Sequence, residues 1–207
     1  MPWYSPAAWE ALAVALGIAY LLLAARESIW CWYAAFLGTA IFLVLFWRVR
    51  LYLESVLQVY YLAMAVYGWW HWRRPGDAGN RPIARWGLAA HGVAIALVLA
   101  LAAASGWLLR RYTDAALPYL DAFTTWGSVV TTWMVARKIL ENWLYWIVID
   151  SAAIVLYLDR GLTLTAALFA AYVVIAIGGF VLWWRHYRAA ETAPGPVSAV
   201  RGKAPRC

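Results

Sequence analysis

Long apolar runs, broken by short clusters of charged and turn-forming residues, make up most of this chain. Crossing the hydrocarbon core of a bilayer takes about 20 mostly apolar residues per helix, because each backbone polar group must be satisfied inside its own segment. Seven runs meet that requirement: Ala8 to Ala25, Ile29 to Trp47, Tyr52 to Trp72, Leu88 to Ser105, Tyr119 to Ala136, Ile139 to Leu158 and Leu162 to Trp184. The pattern therefore predicts an all-α integral membrane protein of seven transmembrane helices, with little chain left for a water-soluble domain. The longest internal loop, RRPGDAGNRPIAR from Arg73 to Arg85, is punctuated by Pro, Gly and Asn and reads as surface. Residues 189–207 are basic and contain Pro and Gly, and read as a disordered cytoplasmic tail.

The chain also resembles itself. A gap-free offset of 111 pairs Arg26 with Arg137, Trp32 with Trp143, Tyr61 with Tyr172, Gly68 with Gly179, Trp72 with Trp183 and Arg74 with Arg185. Between Glu10 and Arg74 it gives 14 identities in 65 positions, where an apolar composition gives roughly six by chance. The expected organisation is a three-helix repeat over residues 8–72, an internal loop and linker helix over 73–105, and a second three-helix repeat over 119–184. The alternative is chance similarity between apolar segments. Parallel repeats of this 3+1+3 kind are a recurring transporter architecture, with the substrate site where the halves meet.

Composition sharpens this. Of 207 residues, 66% are hydrophobic and only 13% charged, outside the usual range for a soluble domain. Sixteen Trp and thirteen Tyr suit aromatic belts, a role that fits Trp30, Trp32, Trp47, Trp86 and Trp107 near helix ends. The N-terminal MPWYSPAAWE lacks the basic n-region of a signal peptide, so the first helix is expected to be retained. Alternating loops put Arg48, Arg50, Arg110, Arg111 and Arg160 on one side and the other twelve Lys and Arg on the opposite side. The positive-inside rule then places the N-terminus outside and the C-terminus in the cytoplasm. The net charge of +7 reads as topology and attraction to anionic lipid, not nucleic-acid binding. Cys31 and Cys207 make no disulfide framework or metal site.

Ionisable groups inside a span cost a few kcal/mol and tend to face a bundle interior or a pathway. On the third helix Glu54, Gln58 and Tyr61 share a face; on the sixth, Trp143, Trp146 and Asp150 recur at spacings of three and four, with Asn142 beside them. The fifth adds Thr124, Thr125, Trp126, Ser128, Thr131 and Thr132. Each has a plainer alternative. The hydroxyls can bond back to their own helix, Glu54 can snorkel to water, Asp150 can pair with Arg160, and Trp143 and Trp146 can face lipid. Glu141 is expected to pair with Arg137 and Lys138 at the interface. His91 lies within a span with no partner visible. If the stripes converge, aromatic faces, amide and hydroxyl groups and one buried carboxylate suit a flat, polar, cationic aromatic solute.

The segments ARKILENWLYWIVID, LESVLQVYYLAMAVYGWWHW and DAFTTWGSV, with the W-x-x-W pairs Trp69/Trp72 and Trp143/Trp146, resemble the PnuC family of bacterial vitamin transporters, whose named substrate is nicotinamide riboside. The resemblance covers nearly the whole membrane region. It implies a fold like a full-length SWEET transporter and a multi-pass protein of the bacterial inner membrane. Facilitated diffusion without an ion gradient, trapping by a cytoplasmic vitamin kinase, and a homotrimer are implied as well. Binding would fall to Glu54, Gln58, Tyr61, Trp126, Ser128, Thr132, Asn142, Trp143, Trp146 and Asp150, with Trp69, Trp72 and Tyr172 shaping the pocket or its gates. No cofactor is expected. Nicotinamide riboside members tend to read E-Q-W where this chain has Glu141-Asn142-Trp143, Asn at Asp150 and Gln at Thr132. A carboxylate only accepts hydrogen bonds where an amide also donates, so the exchange favours thiamine, with its amino group and thiazolium, over nicotinamide riboside.

Other classes fit less well. A retinal photoreceptor needs a lysine in its last helix, and the lysines here are Lys138 and Lys203. A hydrolase needs a Ser/His or paired-Asp arrangement at depth, which no spacing suggests. A non-transporting receptor or structural subunit stays open.

Overall fold

Each predicted run forms a helix in the computed structural model, which describes residues 6–48, 52–73, 82–113, 117–159 and 161–192, leaving aside the side chains of 6, 7, 52–54 and 164. The elements are α1 (Pro6–Ala25), α2 (Trp30–Arg48), α3 (Tyr52–Arg73), α4 (Leu88–Tyr112), α5 (Pro118–Ala136), α6 (Asn142–Asp159) and α7 (Thr163–Thr192). Most ends fall within about two residues of expectation, and three differ by more. α4 runs past Ser105 to Tyr112, where the Thr113 hydroxyl and N–H both donate to the Leu109 carbonyl. α6 starts at Asn142 instead of Ile139, because Lys138 takes a left-handed backbone (φ 54°) that ends the preceding helix. α7 continues to Thr192, so residues 189–192 of the expected tail are helical, and 193–207 lie outside the described residues.

Four helices, α1, α2, α4 and α7, are long and apolar enough to cross a membrane on length and composition alone. The remaining three carry the polar residues singled out from the sequence. The packing explains how they are accommodated. α1 packs on α2, α2 on α3, α3 on α5, α5 on α6, α6 on α7 and α7 on α1, closing a ring of six helices, while α4 lies outside and packs on α5. Large apolar side chains such as Val56, Val93 and Val174 are exposed on the periphery, as a lipid-facing surface requires. The ring order is unchanged when α1, α2 and α3 are exchanged with α5, α6 and α7.

Local details repeat at the same spacing. Glu27, after α1, and Lys138, after α5, are the positive-φ residues other than glycine among the described residues, at 53° and 54°, a conformation costing a non-glycine residue about 1–2 kcal/mol. Both are held by the same pair of terminal bonds. Glu27 N–H donates to Ala24 O (3.0 Å) and Ser28 N–H to Leu23 O (2.9 Å); Lys138 N–H donates to Val135 O (2.9 Å) and Ile139 N–H to Met134 O (3.0 Å), the bonding of a Schellman C-cap.

Four buried indoles then tie the halves together. Trp32 meets Trp72 edge-on (5.3 Å between centroids, 88°) and Trp143 meets Trp183 likewise (5.5 Å, 88°), with Trp72 and Trp183 6.1 Å apart. The Trp72 N–H donates to the Val135 carbonyl at 3.3 Å and the Trp183 N–H to the Ala24 carbonyl at 3.1 Å. Glycine is needed opposite two of the rings: a Cβ on Gly68 would run into the Trp32 ring, and one on Gly179 into the Trp143 ring. The indole layer lies toward the end of the bundle that carries Arg26, Arg73, Arg85, Arg137, Lys138 and Arg185, called the basic end below. There the returning loop is pinned to the α5–α6 turn by Ala84 N–H to Lys138 O (2.9 Å) and Leu140 N–H to Ala84 O (2.8 Å).

Candidate functional site

Inside the six-helix ring, on the far side of the indole layer from the basic end, is a cavity of about 290 Å³. α1 contributes Gly17 and Tyr20, α2 Trp32, Ala35 and Thr39, α3 Tyr61 and Ala65, α5 Ser128 and Thr132, α6 Trp146 and Asp150, and α7 Phe169 and Tyr172. Both halves thus face one hollow. Its chemistry is mostly aromatic and small-apolar, with one carboxyl group and a few hydroxyls. Asp150 is 5% exposed and has no hydrogen-bond or ion-pair partner among the described residues; Arg160, its suggested partner, lies outside them. Two other wall residues, Trp32 and Trp146, bury indole N–H groups with no acceptor among the described residues. Leaving a buried donor unmet costs about 1–3 kcal/mol, so the wall holds unused binding capacity.

Six of the expected site residues meet here: Tyr61, Ser128, Thr132, Trp146, Asp150 and Tyr172. Of the others whose side chains are described, none lines the cavity. Trp126 turns to the outer helix, donating to Ser105 Oγ at 2.9 Å. Trp143 is one turn nearer the basic end, in the indole layer against Gly179 and Trp183. Asn142 opens α6, fully buried, with its Nδ2 donating to the Ile139 carbonyl at 2.6 Å. Gln58 is half-buried one turn beyond Tyr61, off the cavity wall. Trp72 belongs to the layer, whereas Trp69 donates to Tyr33 Oη (3.0 Å) beneath the Arg73 guanidinium. The side chain of Glu54 is outside the described residues. Among the fifth-helix hydroxyls, Thr131 bonds back to the Gly127 carbonyl (2.8 Å) and Thr124 to the Asp121 carbonyl (2.9 Å).

The basic end is closed by charge as well as by rings. Lys138, 3% exposed, places its Nζ 2.8 Å from Glu27 Oε2 and 4.7 Å from the centre of the Trp72 ring. The other Glu27 oxygen lies 2.6 Å from His186 Nδ1. One carboxylate therefore joins α1, the α5–α6 turn and α7. Glu141 does not pair with Lys138 or Arg137: it takes Arg85 Nε at 2.9 Å and the Trp86 N–H at 3.3 Å, and that hydrogen bond raises the Arg85 pKa above its ordinary value. His91 does have a partner, the Tyr145 hydroxyl at 2.9 Å. Among the described residues no His, Cys, Asp or Glu cluster could hold a metal ion.

The sequence profile of the nicotinamide mononucleotide transporter family matches residues 7–185, most of the chain. The chain belongs to this family. Its members are membrane transporters, not enzymes, and the transporter described here is accordingly a multi-pass membrane protein. It is 27% identical over 179 residues to the riboflavin/roseoflavin transporter RibM of Streptomyces davaonensis, covering 84% of this chain and 83% of that protein. It is 26% identical over 200 residues to the nicotinamide riboside transporter PnuC of Escherichia coli, covering 84% of each. The crystal structure of the vitamin B3 transporter PnuC has the same fold, with a TM-score of 0.68 at 18% identity over 87% of this chain and 82% of that one. The PnuC resemblance read from the α3, α5 and α6 segments thus holds across the chain.

The sequence reasoning missed the contribution of α1 and α2, namely Gly17, Tyr20, Ala35 and Thr39, and it assigned to an interfacial belt Trp32, which the structure buries in the indole layer and the cavity wall. Gly17 and Ala35 carry no polar signal, and the isolated hydroxyls of Tyr20 and Thr39 stand out little in helices that are otherwise apolar. The offset of 111 does point to them: Gly17, Leu21, Ala35 and Thr39 pair with Ser128, Thr132, Trp146 and Asp150, and all eight line the cavity.

Proposed function

We propose that this transporter carries a small cationic aromatic vitamin through the central cavity by facilitated diffusion, with thiamine preferred over nicotinamide riboside. The observation that carries the cationic-solute part of this reading, which thiamine and nicotinamide riboside both satisfy, is Asp150, an almost fully buried carboxyl group with no protein partner among the described residues, beside an indole whose N–H is also unmet; the preference for thiamine rests on a carboxylate standing where nicotinamide riboside members tend to carry Asn. A buried charge without a counter-charge is costly. A cationic solute supplies the counter-charge, and the ring faces of Trp146, Tyr61 and Tyr172 add attraction of up to about 2 kcal/mol when desolvated. The cavity volume of about 290 Å³ falls at the lower end of small-molecule sites, about 300–1,000 Å³, and so favours thiamine or nicotinamide riboside over a tricyclic flavin.

In this reading the chain is two parallel three-helix repeats joined by α4, and they rock about the cavity as in a SWEET-like carrier. The matched turns, indole bonds and ring order support it. The basic end is cytoplasmic on the count of basic residues, with the N-terminus outside. A membrane potential then helps a cation inward at about 2.3 kcal/mol per charge per 100 mV, and cytoplasmic phosphorylation of the vitamin makes uptake one-way. A homotrimer is the assembly that the family resemblance implies. The E. coli relative favours nicotinamide riboside as the second reading.

Calorimetry and proteoliposome uptake with labelled thiamine and nicotinamide riboside decide between them. Tighter thiamine binding that is weakened by Asp150→Asn supports the proposal. Tighter nicotinamide riboside binding, or thiamine affinity indifferent to Asp150→Asn, overturns the thiamine preference. Absence of flux with either would point to a receptor or subunit.

A further inference from the structure

The frame of the cavity is matched between the two halves, but its wall is not. Five pairs of wall residues stand 111 apart: Gly17/Ser128, Leu21/Thr132, Ala35/Trp146, Thr39/Asp150 and Tyr61/Tyr172. Only the tyrosines agree. In the other four, the second-half member is the more polar or the larger aromatic, while the first half offers glycine, alanine, leucine or a neutral hydroxyl. The difference is greatest at Ala35, which stands where the second half has an indole; Trp buries about 150–250 Å² of surface when packed, so the exchange leaves a hollow beside α2. α2 cannot simply close it. At Gly38 the helix already approaches α1 closely enough that a Cβ would sit 3.2 Å from Leu16 Cβ.

We infer that the α1–α2 wall, with Ala35 at its centre, sets the size limit for the substrate, while α5 and α6 set its charge and polarity, so that the substrate binds one way round. The charged ring lies against Asp150 and Trp146. The neutral remainder fills the space left by Ala35 and Gly17, with Thr39 as its hydrogen-bonding group. This rests on the reading of the cavity as the substrate site. It adds α2 residues as determinants of specificity and predicts a fixed orientation that a symmetric pocket would not impose.

The test uses the purified full chain and two probes, thiamine and an N-methylated thiazolium fragment that keeps the charged ring but lacks the aminopyrimidine. Ala35→Leu should weaken thiamine about tenfold or more, as expected for overfilling a packed site. Inhibition of uptake by the fragment should change less than about threefold on the same scale. Ala35→Gly, a milder change, should instead admit thiamine analogues enlarged on the pyrimidine side that the unaltered protein rejects. Asp150→Asn should weaken both probes. If the Ala35 variants shift both probes equally, or neither, while Asp150→Asn weakens both, the size-wall inference fails and the site reading survives. If Asp150→Asn weakens neither, the site reading fails.

Discussion

Replacing Glu27 by glutamine tests the closure of the basic end. The substitution keeps the side-chain volume and removes the charge 2.8 Å from the Lys138 ammonium. Lys138 is 3% exposed and the Glu27 side chain 20%, so the lysine charge stays buried. Breaking a fully buried pair from one side costs about 3–5 kcal/mol; the partial exposure of Glu27 reduces this, and the Trp72 ring 4.7 Å from Nζ, together with the further contacts of Lys138, keeps part of the stabilisation. The expected loss is about 2–4 kcal/mol. For a chain of this size each kcal/mol moves the melting temperature by roughly 2–4 °C, so thermal unfolding in detergent should fall by about 5–15 °C. The double variant Glu27→Gln with Lys138→Met removes both charges and should recover at least half of that fall. The same pair joins α1 to the α5–α6 turn, so opening at this end must break it. Cys31 is fully buried beside α1, and in a Cys207→Ser background its alkylation should accelerate in Glu27→Gln. A melting change within about 1 °C, or a double-mutant cycle with no coupling, would refute the argument.

Four further outcomes are expected. Gly179→Ala forces a Cβ to 2.8 Å from the Trp143 ring and should lower stability by about 1–3 kcal/mol, whereas Gly87→Ala, with nothing within 4 Å, should be neutral in the same melt. Trp126→Phe removes the bond to Ser105 and should cost about 1 kcal/mol of stability while leaving substrate affinity unchanged by calorimetry. Trp146→Ala should behave in the opposite way, weakening substrate about tenfold with a smaller effect on melting. Gln58→Leu should leave affinity within about twofold; a larger loss would put Gln58 at the substrate and contradict the cavity lining.

Helix number and position were legible because the bilayer imposes length and hydropathy on each span. Helix ends were less so, because they depend on terminal chemistry. Sequence reading began α6 at Ile139, three residues early, since an apolar Ile-Leu pair looks helical until Lys138 is seen in a left-handed turn. Polar pairings were read least well. Adjacency in sequence suggested Glu141 with Arg137 and Lys138, but the turn geometry carries Lys138 across to Glu27 and leaves Glu141 to Arg85, which the loop returns from well upstream.

The site was legible only where a residue was unusual for lipid. Asp150, Ser128 and Thr132 are costly or at least uncommon in a span, and Trp146 is large, so each attracted notice; all four are in one half, and in the other half only Tyr61 was singled out as a site residue among those that line the cavity. The opposing wall is built from residues that any apolar helix contains, and burial there creates space instead of contacts, so no single-position argument reaches it. Symmetry does, because a matched frame fixes where the partner of each conspicuous residue must stand, whatever its type. Subtracting 111 from Ser128, Thr132, Trp146 and Asp150 gives Gly17, Leu21, Ala35 and Thr39, which are the facing wall. If the chain is a duplicated carrier, as proposed, the half with plain side chains becomes readable once the chemically conspicuous half has been found.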